Sequence, residues 1–222
     1  MIIKALIFDF DGVILDTGKY HYQSWEMLLQ KIGLSIEPED DLFLKGAGRM
    51  DSLEYLLRKG QLQLPNHQKQ VLTDEKNRIF LNLISHLTKE DLLPGVNELI
   101  EQARNLDFQV AVGSGSKNAR RILEDIGIAS LFDVIHDAND VAFPKPHPEI
   151  YQLVCSKLKL HPAETLVIED SSKGVASAIA TGCYILGLGD PEYLEGAHLF
   201  APDLSNIQLD DLLQNVSRDL IA

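Results

Sequence analysis

The chain has 222 residues, 45% hydrophobic and 24% charged, which provides for a substantial buried core and excludes disordered and fibrous classes. Its formal net charge of -13 repels polyanions, so nucleic acid is not an expected partner, and a small anionic substrate would need local cations or a metal. Only two cysteines, Cys155 and Cys183, are present, so no disulfide framework is expected and the simpler compartment is the reducing cytoplasm.

The first element is an apolar run at 2–8, without polar alternation, which suits a strand covered on both faces of a parallel sheet. Between Lys4 and Asp9 it is too short for the apolar part of a secretion signal. From 17 to 92 the spacing turns helical, with Trp25, Leu28, Leu29 and Ile32 and later Phe80, Leu83, Ile84 and Leu87. This interval predicts a helical cap domain inserted after the first strand, between core segments 1–16 and 93–222. Further strand-like runs at 108–112, 134–135, 166–168 and 184–188 alternate with helical segments at 117–126, 148–158 and 172–181. The first and last of these helices are stopped by Gly127 and Gly182. Such alternation predicts an α/β fold with a doubly wound, Rossmann-like parallel sheet. The longest charge-free stretch, 174–189, is broken by Gly182 and falls short of the roughly 20 apolar residues of a spanning helix, so no membrane association is expected.

Chemistry gathers where the strands end. Phe8-Asp9-Phe10-Asp11-Gly12 closes the first, and side-chain alternation along an extended segment would turn Asp9 and Asp11 toward one pocket. For an isolated D-x-D-G, a reading as turn or capping aspartates would be favoured. The later strands, however, also end in polar residues: Ser114 with Ser116, Lys117 and Asn118 after one, and Glu169-Asp170 after another. Lys145 stands between two prolines, which restrict its backbone. In open α/β sheets ligands bind outside the carboxyl ends of the strands. Hard oxygen donors of this kind suit Mg²⁺, whereas scattered histidines and unpaired cysteines disfavour zinc. With such an ion, Asp9 would attack phosphorus as a carboxylate nucleophile and Asp11 would serve as general acid and base. Lys145 and Ser114 would hold the transferring oxygens.

In their order, Asp9-x-Asp11-Gly12, Ser114, Lys145 and Glu169-Asp170 resemble the four motifs of the haloacid dehalogenase superfamily. Asp11 places the resemblance in its phosphotransferase branch. The resemblance implies metal ligation by the Asp9 side chain, the Asp11 carbonyl and Asp170, with Glu169 close by. A closer resemblance, to the β-phosphoglucomutase family, is carried by residues 8–17 followed by His21 and Trp25, by 44–53, Lys76-Asn77, 114–118 and Lys145-Pro146. Gly48, Met50 and Gly115 stand where that family more often has Ser, Glu and Ala.

This resemblance implies sugar phosphates as small-molecule substrates, with β-glucose 1-phosphate and glucose 6-phosphate interconverted through a bisphosphate. It implies that Arg49, Ser116, Lys117 and Asn118 grip the phosphate not being transferred. Gly46 and Ala47 would touch the sugar through backbone, Lys76 would reach in from the cap, and Thr17 and His21 would link cap closure to Asp11. Taken singly, Arg49 and Lys76 read as solvated helix charges, His21 as a helix-face histidine and Trp25 as core. A phosphatase of the same superfamily is the second expectation, because water can discharge the same aspartyl phosphate, and a non-catalytic phosphometabolite-binding module is the third. An enclosed site and strong net charge make a monomer the plain expectation.

Overall fold

The computed structural model describes residues 3–219; Ile2, which belongs to the first expected strand, lies outside the described residues. In chain order the elements are β1 (Ala5–Phe8), α1 (Gly18–Lys31), α2 (Asp41–Leu44), α3 (Arg49–Lys59), α4 (Asn66–Leu83), α5 (Val96–Asn105), β2 (Gln109–Gly113), α6 (Ala119–Asp125) and β3 (Val134–His136). They continue with α7 (Glu149–Leu158), β4 (Thr165–Glu169), α8 (Ser172–Thr181), β5 (Tyr184–Leu188), β6 (Leu199–Ala201) and α9 (Leu209–Asp219).

The six strands form one sheet in the order β3-β2-β1-β4-β5-β6, and every pairing is parallel. Each residue of β1, β4 and β5 is buried, which explains why these strands lack polar alternation: helices cover both faces. The strand order reverses direction between β1 and β4, and a crevice for ligands opens at such a switch point. Phe8 is level with Val112 of β2 and Ile168 of β4, so the residues that follow these three emerge side by side.

Local signals set the helix ends. Ser171 caps α8 by accepting a hydrogen bond from the Gly174 N–H at 3.1 Å, and Gly182, at φ 90°, terminates it in the left-handed conformation. Several features depart from expectation: α5 and α9 are helices outside the expected helical segments. The three-residue β6 was not anticipated, being too short to show periodicity. The helix expected from 117 begins only at Ala119, because the Ser114 and Ser116 hydroxyls accept from the N–H groups of Ser116 and Asn118, at 3.0 and 3.3 Å, and hold the chain in turns.

The chain divides into two compact units. The smaller runs from Thr17 to Leu87 and is helical, its core built from Trp25, Leu28 and Leu29 of α1, Leu53, Leu56 and Leu57 of α3, and Ile79 of α4. The larger unit resumes at Thr88, which caps a short turn of helix, and Leu93 donates its N–H to the Ile14 carbonyl at 2.9 Å. Among the described residues no helix is long and apolar enough to cross a membrane.

Gly95 precedes α5 at φ 84°, and a methyl group there would overlap the Leu204 backbone. Gly127, at φ 79°, has open space where its methyl would lie. Gly127→Ala should therefore lose only the dihedral term of about 1 kcal/mol, while Gly95→Ala should lose at least about twice that. Urea unfolding midpoints of the two variants check this ranking.

Candidate active site

Asp9 follows β1 and remains tied to the sheet, its N–H donating to the Ile168 carbonyl at 3.0 Å. Its side chain is buried, and Oδ1 accepts from Lys145 Nζ at 2.8 Å. Nothing among the described residues donates to Oδ2. Lys145, also buried, reaches Glu169 Oε1 at 2.5 Å. Glu169 is 0% exposed and has both oxygens engaged: Oε1 accepts from Lys145 and from the Tyr151 hydroxyl at 2.6 Å, and Oε2 from the N–H groups of Asp170 and Ser171 and from the Ser171 hydroxyl.

Oxygens of Asp9, Glu169 and Asp170 lie within 4.8 Å of one another. Three carboxylates beside one ammonium carry excess negative charge out of water, an arrangement that favours either a bound proton or a hard cation. Burial raises the Asp9 pKa well above the usual carboxylate range; Lys145 opposes this, and Glu169, Asp170 and Asp11 reinforce it. For Lys145, burial acts to lower the pKa, but the charges of Asp9 and Glu169 outweigh it and the net shift is upward. This donor set could hold a divalent oxygen-seeking ion; the lone pairs of Glu169 already have protein partners.

Asp11 is not on the strand. β1 stops at Phe8, and residues 10–15 form a tight turn in which Gly12 donates to the Leu15 carbonyl at 2.8 Å and Ile14 to that of Phe10 at 3.0 Å. The turn, not the pleat, sets where Asp11 lies, and its charge still reaches Asp9. Gly12 sits at φ 82°, and a methyl group there would overlap the Asp170 carboxylate. Ser114 ends β2 and is buried; its oxygen accepts from Ser116, which leaves its O–H to donate elsewhere. Ser116, Lys117 and Asn118 occupy the turn before α6, with the Lys117 carbonyl accepting from Asn139 at 2.9 Å.

The remaining expected residues belong to the smaller unit. Arg49 opens α3 and donates to Asn77 Oδ1 at 2.9 Å; burial lowers its pKa, with Asp74 acting in the opposite sense. Gly46 and Ala47 form the loop before α3, Gly46 at φ 67°. Lys76 is not a solvated charge: it is 2% exposed, Nζ is 2.7 Å from His21 Nδ1, and it lies over the rings of Trp25 and Phe80. His21 stacks on Phe80 with centroids 4.0 Å apart. Thr17 is fully buried and its carbonyl accepts from the N–H groups of Tyr20 and His21.

Two residues of the larger unit carry no motif yet shape the site. Tyr151 bridges Lys145 and Glu169, but its position among Ile150, Val154 and Leu158 on the buried face of α7 reads as core. The signal it does give is that a buried tyrosine requires a hydrogen-bond partner. Gly174, inside α8, lets the helix pass directly over Glu169, since a methyl group would overlap that carboxylate. Glycine within a helical pattern is the sequence-level sign of such close approach.

Lys145→Met should destabilise the protein by about 3–5 kcal/mol, because Glu169 would be left buried and charged without its cation. Adding Glu169→Gln should recover part of that loss, as measured by urea denaturation.

A family model described as haloacid dehalogenase-like hydrolase matches residues 3–182. A β-phosphoglucomutase of Bacillus subtilis is 36% identical over 210 residues, covering 94% of this chain and 93% of the relative. A phosphorylated carbohydrates phosphatase of Thermotoga maritima is 30% identical, covering 81% of this chain and 82% of its own. The crystal structure of a β-phosphoglucomutase from Clostridium difficile superimposes with a TM-score of 0.94 over all of both chains, at 32% identity. With four-fifths of its length in the family model and its sheet superimposing on a relative of similar sequence, the chain belongs to the haloacid dehalogenase-like hydrolase family.

Proposed function

We propose that the protein is a cytoplasmic, monomeric, Mg²⁺-dependent β-phosphoglucomutase that interconverts β-D-glucose 1-phosphate and glucose 6-phosphate through phosphorylated Asp9 and glucose 1,6-bisphosphate. The observation that carries the reading is Asp9 itself: a buried carboxylate at the switch point, with Oδ1 held by Lys145 and, among the described residues, no donor to Oδ2. The likeness to β-phosphoglucomutases over nearly the whole chain supports the choice of substrate.

In this reading Asp9 Oδ2 attacks a phosphorus of the bisphosphate, the bond from that phosphorus to the sugar oxygen breaks, and Asp11 gives its proton to the departing oxygen. In the other half-reaction Asp11 removes a proton from a sugar hydroxyl, whose oxygen attacks the aspartyl phosphate and frees Asp9. A bound Mg²⁺, held by Asp9, Asp170 and the Asp11 carbonyl, would neutralise charge on the transferring oxygens. Lys145 and the Ser114 hydroxyl orient the phosphoryl group from the protein side. Arg49, Ser116, Lys117 and Asn118 are assigned to the phosphate that stays on the sugar. Gly46, Ala47 and Lys76 are assigned to the hexose, and Thr17 and His21 to coupling Asp11 with closure of the smaller unit, which excludes water.

The second reading, a sugar-phosphate phosphatase, is supported by the similarity to the Thermotoga phosphatase, since the same acids would serve water as acceptor. Supplying Mg²⁺, β-glucose 1-phosphate and a trace of bisphosphate separates the two: glucose 6-phosphate should accumulate, and release of inorganic phosphate instead would establish the phosphatase. Arg49→Ala should lower kcat/KM for the bisphosphate roughly ten- to a hundredfold, the effect of losing one or two charge-assisted hydrogen bonds. Labelling of Asp9 by acetyl phosphate should persist in that variant; equal loss of both activities would remove Arg49 from its assigned role.

A further inference from the structure

The Lys145 ammonium has three N–H donors, and the structure supplies three acceptors: Asp9 Oδ1 at 2.8 Å, the Tyr151 hydroxyl at 2.8 Å and Glu169 Oε1 at 2.5 Å. Two of these partners compete. Glu169 is fully buried, stands closer to the lysine than Asp9 does, and takes no part in the transfer proposed above. Left to electrostatics alone, the ammonium would move toward Glu169 and away from the nucleophile.

Tyr151 acts against that movement in two ways. Its oxygen occupies one Nζ donor, and its O–H donates at 2.6 Å to Glu169 Oε1, the same oxygen that attracts the lysine. The aromatic ring lies in apolar surroundings that phenylalanine would fill equally well. A Cβ at Gly113 would stand 3.0 Å from the ring, and Nζ is 4.7 Å from the ring centroid, a contact that phenylalanine would keep. Only the hydroxyl distinguishes tyrosine from its isostere, and a buried hydroxyl destabilises unless its partners need it. We propose that Tyr151 is a positioning residue that divides the negative charge of Glu169 and thereby holds Lys145 on Asp9.

The inference rests on Asp9 being the phosphorylated group. It is tested with the full-length protein and Mg²⁺, following labelling by acetyl phosphate and steady-state turnover of β-glucose 1-phosphate. In Tyr151→Phe, labelling and kcat should fall about tenfold, the factor corresponding to one hydrogen bond to a charged group, with KM unchanged. In a Glu169→Gln background the same substitution should have a smaller effect, because the competing charge is gone. A labelling rate equal to that of the parent, an equal loss in both backgrounds, or a loss confined to the urea midpoint would overturn the inference and leave Tyr151 as core. Asp9→Asn serves as the reference: label retained there would sink the functional reading itself, whereas an inert Asp9→Asn beside a normal Tyr151→Phe would sink the tyrosine alone.

Discussion

Mutual repulsion among carboxylates held out of water is the constraint around which the larger unit is organised. Parallel register carries Asp9 and Glu169 out of the sheet side by side, and Asp170 follows at once. Separate from a cation, such a group would protonate or push the strand ends apart. Lys145 resolves part of the conflict by lying between Asp9 and Glu169, and the hydrogen bonds around Glu169 make its buried charge tolerable.

Absence of side chains matters here as much as their presence. At Gly12 and Gly174 the backbone passes close to the acids, one against Asp170 and the other against Glu169, and neither leaves room for a Cβ. The helix that crosses Glu169 is also capped by Ser171, whose hydroxyl donates to that carboxylate while accepting from Gly174. One short segment thus caps a helix and orients an acid.

The smaller unit handles a single charge differently. Lys76 is buried against His21, Trp25 and Phe80, where aromatic faces help to accommodate a buried ammonium. By contrast, Asp40 takes Lys59 and Tyr55 as ordinary partners, which stabilise its ionised form.

From sequence alone it was already determined that the fold is a parallel α/β sheet, because uninterrupted apolar runs and capped amphipathic segments are local properties, set by neighbours a few residues away. The order of polar strand ends likewise marked Asp9, Ser114, Lys145, Glu169 and Asp170 as one edge of that sheet. Lengths and partners were decided elsewhere. β6 is too short to announce itself, the serine turns just ahead of α6 delay its start, and Asp11 owes its place to a turn whose bonds span Phe10 to Leu15. Tyr151 is separated from Glu169 by 18 residues of chain and lies 2.6 Å from it in space. No local pattern encodes that distance, since it arises only when α7 packs on the sheet and leaves one phenolic oxygen between a lysine and a glutamate.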